Sequence, residues 1–265
     1  MYRSKSEKQG VPRPSVSDRE LKQVEGRNPV REALRAGRSM ERILILSEER
    51  SGPLTEIRQL ARQRGVRVDV VDKEYLDRRS VTGSHQGVIA LTAAKAYVDV
   101  DEILRIAKER EESPLLLLCD GVQDPHNLGA LLRSAEAMGV HGVVIPARRA
   151  VGLTATVAKT SAGAVEHVAV ARVTNMVQTM KRLKEAGLWV VGAEMSAERT
   201  LWEADLTGPL AVVVGSEGAG LGRLVTERCD FLVRLPMRGR VNSLNASVAG
   251  SLVLFEVLRQ RHQLV

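Results

Sequence analysis

The sequence predicts an α/β protein whose larger part contains a parallel sheet, and three observations support this. The 265 residues are 44% hydrophobic, which is enough to build a substantial core. After Pro114, short apolar runs alternate with longer segments of helical periodicity, which is the pattern of βαβ units. One run, 115–119, is apolar throughout, as in a strand that is buried on both faces of a parallel sheet.

Residues 19–94 predict a small α/β unit ahead of that sheet. Asn28 and Pro29 indicate the start of a helix, with Asn28 as the N-cap and Pro29 at the first helical position. Periodicity and turn residues then predict strands at 42–47, 66–71 and 87–91 and a helix at 54–64.

Residues 95–113 are expected to be a linker, with a short helix at 100–107 and a charge run at 108–112 that is typical of a solvated face. Residues 114–265 form the larger unit. Its expected elements alternate along the chain: strands at 115–119, 142–146, 167–172, 188–193, 210–214 and 231–235, and helices at 127–138, 155–163, 175–186, 221–228 and 245–261.

Charge and composition limit the partners. Lysine and arginine number 39 against 32 acidic residues, a net charge of +7, and this excess favours RNA, DNA or an anionic membrane surface. Aromatic residues make up 3%, which argues against a surface built mainly on base stacking. Residues 1–18 are polar and basic, so we expect a disordered tail, either an arm that touches RNA or a merely solvated segment.

Several classes of site are not expected. The two cysteines lie far apart in apolar segments, and the histidines do not cluster at ligand spacing, so neither a disulfide nor a metal site is predicted. The N-terminal residues lack an apolar core and the longest apolar runs are strand-sized, so neither a secretory signal nor a membrane span is expected. The expected location is the cytoplasm.

Candidate functional residues lie in four loops that follow predicted strands, where ligands bind in open parallel sheets. The first loop carries Asn127 and Arg133, which an N-cap with a surface arginine would also explain. The second loop is Gly192, Ala193 and Glu194, a weak signal by itself.

The third loop, 215–221, is rich in glycine, which allows a ligand to approach the backbone closely. Its spacing is not that of a phosphate loop, and Glu217 would repel a phosphate. The fourth loop, 236–245, precedes the last predicted helix, and Ser243 or Asn245 could cap that helix. Two asparagines, one serine and two arginines within eight residues are nevertheless dense for a mere cap.

Three of these segments resemble the ordered motifs of the SpoU-type (TrmH-like) RNA ribose methyltransferases of the SPOUT class. They are DPHNLGALLR at 124–133, VGSEGAGL at 214–221 and LPMRGRVNSLNAS at 235–247. Ala246 stands where valine is commoner, which should affect packing alone. Segments 26–34 and 85–90 resemble the substrate-binding extension of the same family, a small α/β domain similar to a ribosomal protein that binds kinked RNA. Together, the two parts of the chain look like the branch that methylates a guanosine of bacterial 23S rRNA.

The resemblance implies an α/β trefoil knot, in which the last helix threads through a preceding loop. It also implies a homodimer with a composite active site, an RNA substrate and no DNA, and S-adenosylmethionine as the cofactor. The cofactor-binding residues that it implies are Gly192, Ala193, Glu194, Gly215, Ser216, Gly218, Leu235, Met237, Ser243 and Leu244.

The implied reaction is transfer of a methyl group to a ribose 2′-hydroxyl, which is a poor nucleophile until it loses its proton. The resemblance assigns this step to Arg133, either as a base or, since guanidinium is almost never deprotonated, as an electrostatic stabiliser. Asn127 would hold Arg133 or the ribose, and Glu217, Ser243 and Asn245 would complete the site. The expected RNA contacts are Arg27, Asn28, Arg31, His85, Gln86, Arg238 and Arg240.

Two alternatives remain open. The same chemistry could act on tRNA or on a drug-resistance site in rRNA, although the N-terminal unit favours rRNA. The chain could also be a non-catalytic RNA-binding assembly factor, which the presence of all candidate catalytic residues disfavours.

Overall fold

The computed structural model describes residues 22–47, 52–240 and 243–262. The predicted tail at 1–18 lies outside the described residues, as do Val241 and Asn242 of the third motif. The described chain forms two units, each built on one sheet.

The first unit is a four-stranded mixed sheet with three helices. The order of the strands is β1-β4-β2-β3, with β2 and β3 parallel and β4 antiparallel to β1 and β2. In chain order the elements are β1 (Gln23–Glu25), α1 (Arg27–Arg35), β2 (Met40–Leu46), α2 (Gly52–Gln63), β3 (Arg67–Val71), α3 (Lys73–Arg79) and β4 (Val88–Thr92).

The predicted helix start at Asn28 is wrong. Helix α1 begins two residues earlier, at Arg27, with Gly26 at the N-cap and a positive φ of +95°. The Arg27 N–H donates to Gln86 Oε1 at 3.0 Å, so an amide from a distant loop takes the place of a local cap. Asn28 is therefore free to face solvent from the first turn.

The second unit is a six-stranded sheet in which all strands are parallel, in the order β10-β8-β9-β5-β6-β7. This confirms the predicted fold class. The elements are α4 (Val100–Glu109), β5 (Leu115–Cys119), α5 (Pro125–Ala137), β6 (Gly142–Pro146), α6 (Ala155–Thr160), β7 (Ala169–Val173), α7 (Met176–Glu185), β8 (Trp189–Ala193), β9 (Leu210–Val214), α8 (Arg223–Thr226), β10 (Phe231–Val233) and α9 (Ala246–His262).

The centre of this sheet is the pair β5 and β9, whose residues are all buried. Helices cover both faces, as continuous apolar strands require. Helix α4, inside the expected linker, packs against the sheet through the fully buried Ile103. No helix in the described part of the chain is long and apolar enough to cross a membrane.

The two units share an interface that contains a buried ion pair. Arg38 Nη1 lies 2.6 Å from Glu166 Oε1, and the two side chains are 8% and 4% exposed. Lys95 Nζ donates to the carbonyl of Glu166, and its burial lowers the pKa of its ammonium. At the edge of the interface, His167 Nε2 lies 3.0 Å from Glu32 Oε2. These contacts hold the first unit against α6 and the turn that follows it.

Candidate active site

A cavity of about 470 Å³ lies at the carboxyl ends of β8, β9 and β10, and its volume is ordinary for a small-molecule site. Ten predicted site residues line it together: Ala193, Glu194, Gly215, Ser216, Glu217, Gly218, Leu235, Ser243, Leu244 and Asn245. The other lining residues were not named individually as site residues, although four of them lie within the second and third motifs: Met195, Val214, Ala219, Gly220, Val233, Ala246 and Ala249.

Two residues that were expected at the cofactor do not line this cavity. Gly192 is buried inside β8, where an added Cβ would lie 2.6 Å from Leu232 Cδ2, so its small size serves strand packing. Met237 lies in the half-buried stretch after β10 and is also absent from the wall.

The glycine-rich loop closes on itself beside β9. The backbone N–H groups of Ser216 and Gly220 each donate to the carbonyl of the other at 3.0 Å. A Cβ on Gly215 would lie 2.2 Å from the carbonyl carbon of Gly220, so only glycine fits there. The Asp120 carboxylate accepts the Gly222 N–H at 2.8 Å and anchors the end of the loop. Glu217 is thereby presented to the cavity.

A partly buried polar network connects this loop to two helices. Asn127 Nδ2 donates to Glu217 Oε1. Ser247 Oγ lies 3.1 Å from Asn127 Oδ1 and 2.6 Å from Asn245 Oδ1. Asn127 and Ser247 are 6% and 7% exposed. Since buried amides and hydroxyls need partners, Asn127 and Ser247 take theirs from each other and from the more exposed Glu217 and Asn245, which positions all four side chains.

The N-cap proposed at Asn127 is wrong, and this explains how the network forms. Asp124 caps α5 by accepting the His126 N–H at 2.8 Å, so Asn127 lies inside the helix with its amide available. At α9, Asn245 Oδ1 accepts the backbone N–H groups of Ser247 and Val248 at 2.9 and 3.3 Å. Asn245 therefore both caps α9 and lines the cavity.

Arg133 is not brought to the cavity within one chain. It lies six residues after Asn127 on α5, which turns it to another face of the helix. Its side chain is exposed and has no hydrogen bond or ion pair with the described residues. Within one chain Asn127 bonds to Glu217 and lies within hydrogen-bond distance of Ser247, so the expectation that Asn127 holds Arg133 or the ribose stays a prediction.

Residues 114–255 match the SpoU rRNA Methylase family, and residues 23–98 match the family described as RNA 2′-O ribose methyltransferase substrate binding. The chain belongs to the SpoU methylase family. It is 48% identical over 239 residues to the Bacillus subtilis (strain 168) protein YacO, whose name places it in the TrmH family of tRNA/rRNA methyltransferases. That alignment covers 90% of this chain and 96% of YacO.

Solved structures agree with this assignment. The SpoU methyltransferase AviRb from Streptomyces viridochromogenes, in complex with the cofactor AdoMet, superposes with a TM-score of 0.77 at 26% identity, over 91% of this chain and 90% of that one. A structure described as an RNA 2′-O ribose methyltransferase superposes with a TM-score of 0.74 at 30% identity, over 93% and 90%. The enzyme is thus an RNA methyltransferase that uses S-adenosylmethionine.

The cavity suits this cofactor. Glu194 and Glu217 are the charged lining residues among those that the structure describes. Two carboxylates attract a sulfonium and an ammonium group, whereas apolar walls such as Val214 and Leu235 suit an adenine ring and exclude water.

A second cavity, of about 480 Å³, lies in the substrate-binding unit of this SpoU enzyme. Four of its lining residues were predicted RNA contacts, Arg27, Asn28, Arg31 and Gln86, and the fifth is Pro53.

His85 was also predicted to contact RNA, but it is 8% exposed and bonds to its own loop and to α3. Its Nδ1 accepts the Gly87 N–H at 3.0 Å, and its Nε2 lies 2.9 Å from Asp77 Oδ1. It therefore shapes the loop. Arg238 and Arg240, in the catalytic unit, are exposed.

Proposed function

We propose that this enzyme methylates the 2′-hydroxyl of a guanosine in 23S rRNA, as a cytoplasmic homodimer. The observation that carries the proposal is the pairing of two cavities in one chain: an acidic one at the sheet edge and an arginine-lined one in the substrate-binding unit. The buried ion pair between Arg38 and Glu166 keeps the two units together. The distance between the cofactor cavity and the RNA-binding residues is therefore fixed, which suits an enzyme that modifies one nucleotide of its RNA.

Bound S-adenosylmethionine supplies an electrophilic methyl group on a sulfonium. Around it, Glu217 offers a carboxylate to the positive charge, and Asn127 holds that carboxylate in place. Apolar side chains such as Leu235 and Leu244 exclude water, which strengthens these charge interactions. The chain must also polarise the 2′-hydroxyl as its proton leaves, and Arg133 is the proposed group, as base or as stabiliser of the developing alkoxide.

A homodimer would place Arg133 of one subunit at the active site of the other. Helix α9 exposes Val248, Leu252 and Phe255, which recur at the spacing of one helical face. On the adjacent face, Ser251 Oγ bonds to Ser134 Oγ of α5 at 2.6 Å, and Ser134 follows Arg133 directly. Arg133 therefore lies near the border of an exposed apolar stripe. We propose that this stripe is the dimer interface, so that Arg133 of the partner subunit would complete the site.

The dimer is tested with Leu252→Glu, which places a charge in the middle of the stripe. We expect a monomer by light scattering and loss of methyl transfer, with S-adenosylmethionine still bound. Leu224→Glu, on the exposed part of α8, is the matched control and should remain dimeric and active. A Leu252→Glu monomer with normal turnover would refute the composite site. The trefoil knot also stays a prediction, supported by the packing of α9 against α5 and β9.

The rRNA target rests on the substrate-binding unit and on the rRNA methylase family that the catalytic unit matches. Mass-spectrometric mapping of 2′-O-methyl groups in total RNA from a deletion strain tests it. We expect one 23S guanosine to lose its mark and to regain it with the wild-type gene. A lost mark in tRNA or at a drug-resistance site would favour those substrates, and no lost mark, with no transfer of labelled methyl, would favour an assembly factor.

A further inference from the structure

Glu25 is a fully buried carboxylate in the substrate-binding unit, and no step of methyl transfer uses it. Its Oε1 accepts hydrogen bonds from Gln23 Nε2 at 2.7 Å and from the Val81 N–H at 2.6 Å. Its Oε2 accepts from Ser80 Oγ at 2.6 Å, from the Thr82 N–H at 3.2 Å and from Thr82 Oγ1. Both oxygens are thus saturated, which compensates the cost of burying a charge.

The balance of forces on Glu25 favours its charged form. Burial raises the pKa of the carboxyl group, but the hydrogen bonds from Ser80, Thr82, Val81 and Gln23 outweigh it, so the pKa lies below its ordinary value. The loop donors therefore meet a carboxylate at neutral pH. An amide or an apolar side chain could not accept all of them.

Four of these five donor groups belong to residues 80–87, which join α3 to β4 and are called the 80–87 loop below. At its other end Gln86 Oε1 accepts the Arg27 N–H, and Arg27 Nε donates to the Gln86 carbonyl, both at 3.0 Å. Glu25 and Arg27 flank Gly26, so one short segment holds both ends of the loop. Gln86 and Arg27 also line the second cavity.

The loop needs this support because its backbone is strained at the cavity. Gln86 has φ +51°, a left-handed conformation that few residues with a side chain adopt. Such a conformation persists only where its surroundings impose it. If Glu25 no longer accepted the Val81 and Thr82 N–H groups, these donors would turn toward water and the loop would relax.

We propose that Glu25 is a positioning residue for RNA: it holds the 80–87 loop so that Gln86 and Arg27 face the RNA. It sets RNA affinity and takes no part in the reaction. This inference rests on the proposed function, since it takes RNA as the ligand of the second cavity.

The test compares Glu25→Gln with the wild-type enzyme. An amide keeps the size of the side chain but turns an NH₂ group toward donors. We expect KM and Kd for RNA to rise roughly tenfold or more, the effect of losing one charged hydrogen bond. The kcat at saturating RNA and the Kd for S-adenosylmethionine should not change. Hydrogen exchange at Val81 and Thr82 should accelerate in the RNA-free enzyme.

Two further variants separate positioning from stability. Ile43→Ala destabilises the same unit through its core in β2 and leaves the loop donors paired. At equal loss of Tm it should bind RNA normally. Thr82→Val removes one side-chain donor and keeps the backbone donor, so its loss of RNA affinity should be smaller than that of Glu25→Gln.

Unchanged RNA affinity in Glu25→Gln would overturn the inference, as would an equal loss in Ile43→Ala at the same Tm. If the wild-type enzyme itself did not bind or methylate RNA, the proposed function would fall as well. Binding by wild type without an effect of Glu25→Gln would leave the proposed function standing.

Discussion

The two cavities of this enzyme have nearly the same volume, about 470 and 480 Å³, and opposite charge. Among the described residues that line them, the cofactor cavity carries Glu194 and Glu217 and no basic side chain, whereas the second cavity carries Arg27 and Arg31 and no acidic one. The net charge of the protein is +7, but none of this positive charge lies among the described residues that line the first cavity. The opposite charges support our proposal that the first cavity binds the cationic cofactor and the second binds the phosphate chain of RNA.

The cavities also differ in how they are built. The cofactor cavity is made of strand ends and of a loop that closes through reciprocal backbone hydrogen bonds between Ser216 and Gly220. The second cavity depends on the start of one helix and on the 80–87 loop, whose support is largely side-chain hydrogen bonds. We therefore expect ligand binding in the first cavity to be most sensitive to changes of the backbone. Binding in the second cavity should be most sensitive to the loss of single side chains.

The largest effect is expected from Gly215→Ala. Its Cβ would lie 2.2 Å from the Gly220 backbone, so the loop cannot close and Glu217 loses its place. We expect S-adenosylmethionine binding to fall below detection by calorimetry, with RNA affinity retained. Gly208→Ala is the matched control, because a Cβ there meets nothing within 4 Å. Cofactor binding by Gly215→Ala would show that the observed loop is not the binding form.

A smaller effect, on charge alone, is expected from Glu217→Gln. The change keeps the shape of the side chain and removes half of the negative charge of the cavity, so the Kd for S-adenosylmethionine should rise on the order of tenfold. Affinity for the neutral-sulfur product S-adenosylhomocysteine should change less. Glu185→Gln, on the exposed surface of α7, serves as the control. An equal loss for both ligands would mean that charge does not select the cofactor.

A smaller effect again is expected from Arg31→Gln in the second cavity. Arg31 lies 3.3 Å from Glu32 and 3.6 Å from Glu56, so its charge is partly shared. RNA affinity should fall a few-fold, and the slope of log K against log salt should lose about one unit. Arg105→Gln on α4 removes the same charge at a distance and should leave the slope unchanged. If the slope of log K against log salt in Arg31→Gln equalled that of the wild-type enzyme, Arg31 would not contact RNA phosphate.

The same two regions show what could be predicted from sequence. Strands 115–119, 142–146 and 210–214 were predicted to the residue, because each is a continuous apolar run between turn residues. The short β1 and α3 were not predicted, since three and seven residues show too little periodicity. Most residues that line the first cavity could be predicted, because they lie in loops that follow predicted strands.

What the sequence could not show were contacts between distant residues. Ser247 looks like an ordinary small residue at a helix start, and its role appears only when folding brings Asn127, 120 positions away, to its hydroxyl. The same holds for Glu25, whose partners Ser80 and Thr82 are 55 and 57 positions away. Arg133 shows the converse: its motif was evident, but one chain does not place it at the site.

The smallest effect concerns pH, where the two units should lose stability in different windows. His141, almost fully buried in the catalytic unit, accepts the Leu115 N–H at Nδ1 and lies 3.0 Å from Glu112 at Nε2. Burial lowers the pKa of His141 below its ordinary 6.5. The unfolded chain therefore binds this proton first, and stability falls as the pH drops below 6.5. Glu25 also has a lowered pKa, so its contribution falls only below 4.5.

We expect the Tm of the wild-type enzyme to be lower at pH 5.5 than at pH 7, because the unfolded chain takes up a proton at His141 that the folded chain resists. His141→Gln should flatten the curve in that window, while Glu25→Gln should leave its slope unchanged there and reduce it below pH 4.5. Scanning calorimetry of the three proteins separates the contributions, because the loss from His141 starts below pH 6.5 and that from Glu25 starts only below pH 4.5. If the fall in Tm between pH 7 and pH 5.5 disappeared in Glu25→Gln, the substrate-binding unit, and not the catalytic one, would be responsible for the loss of stability in that range.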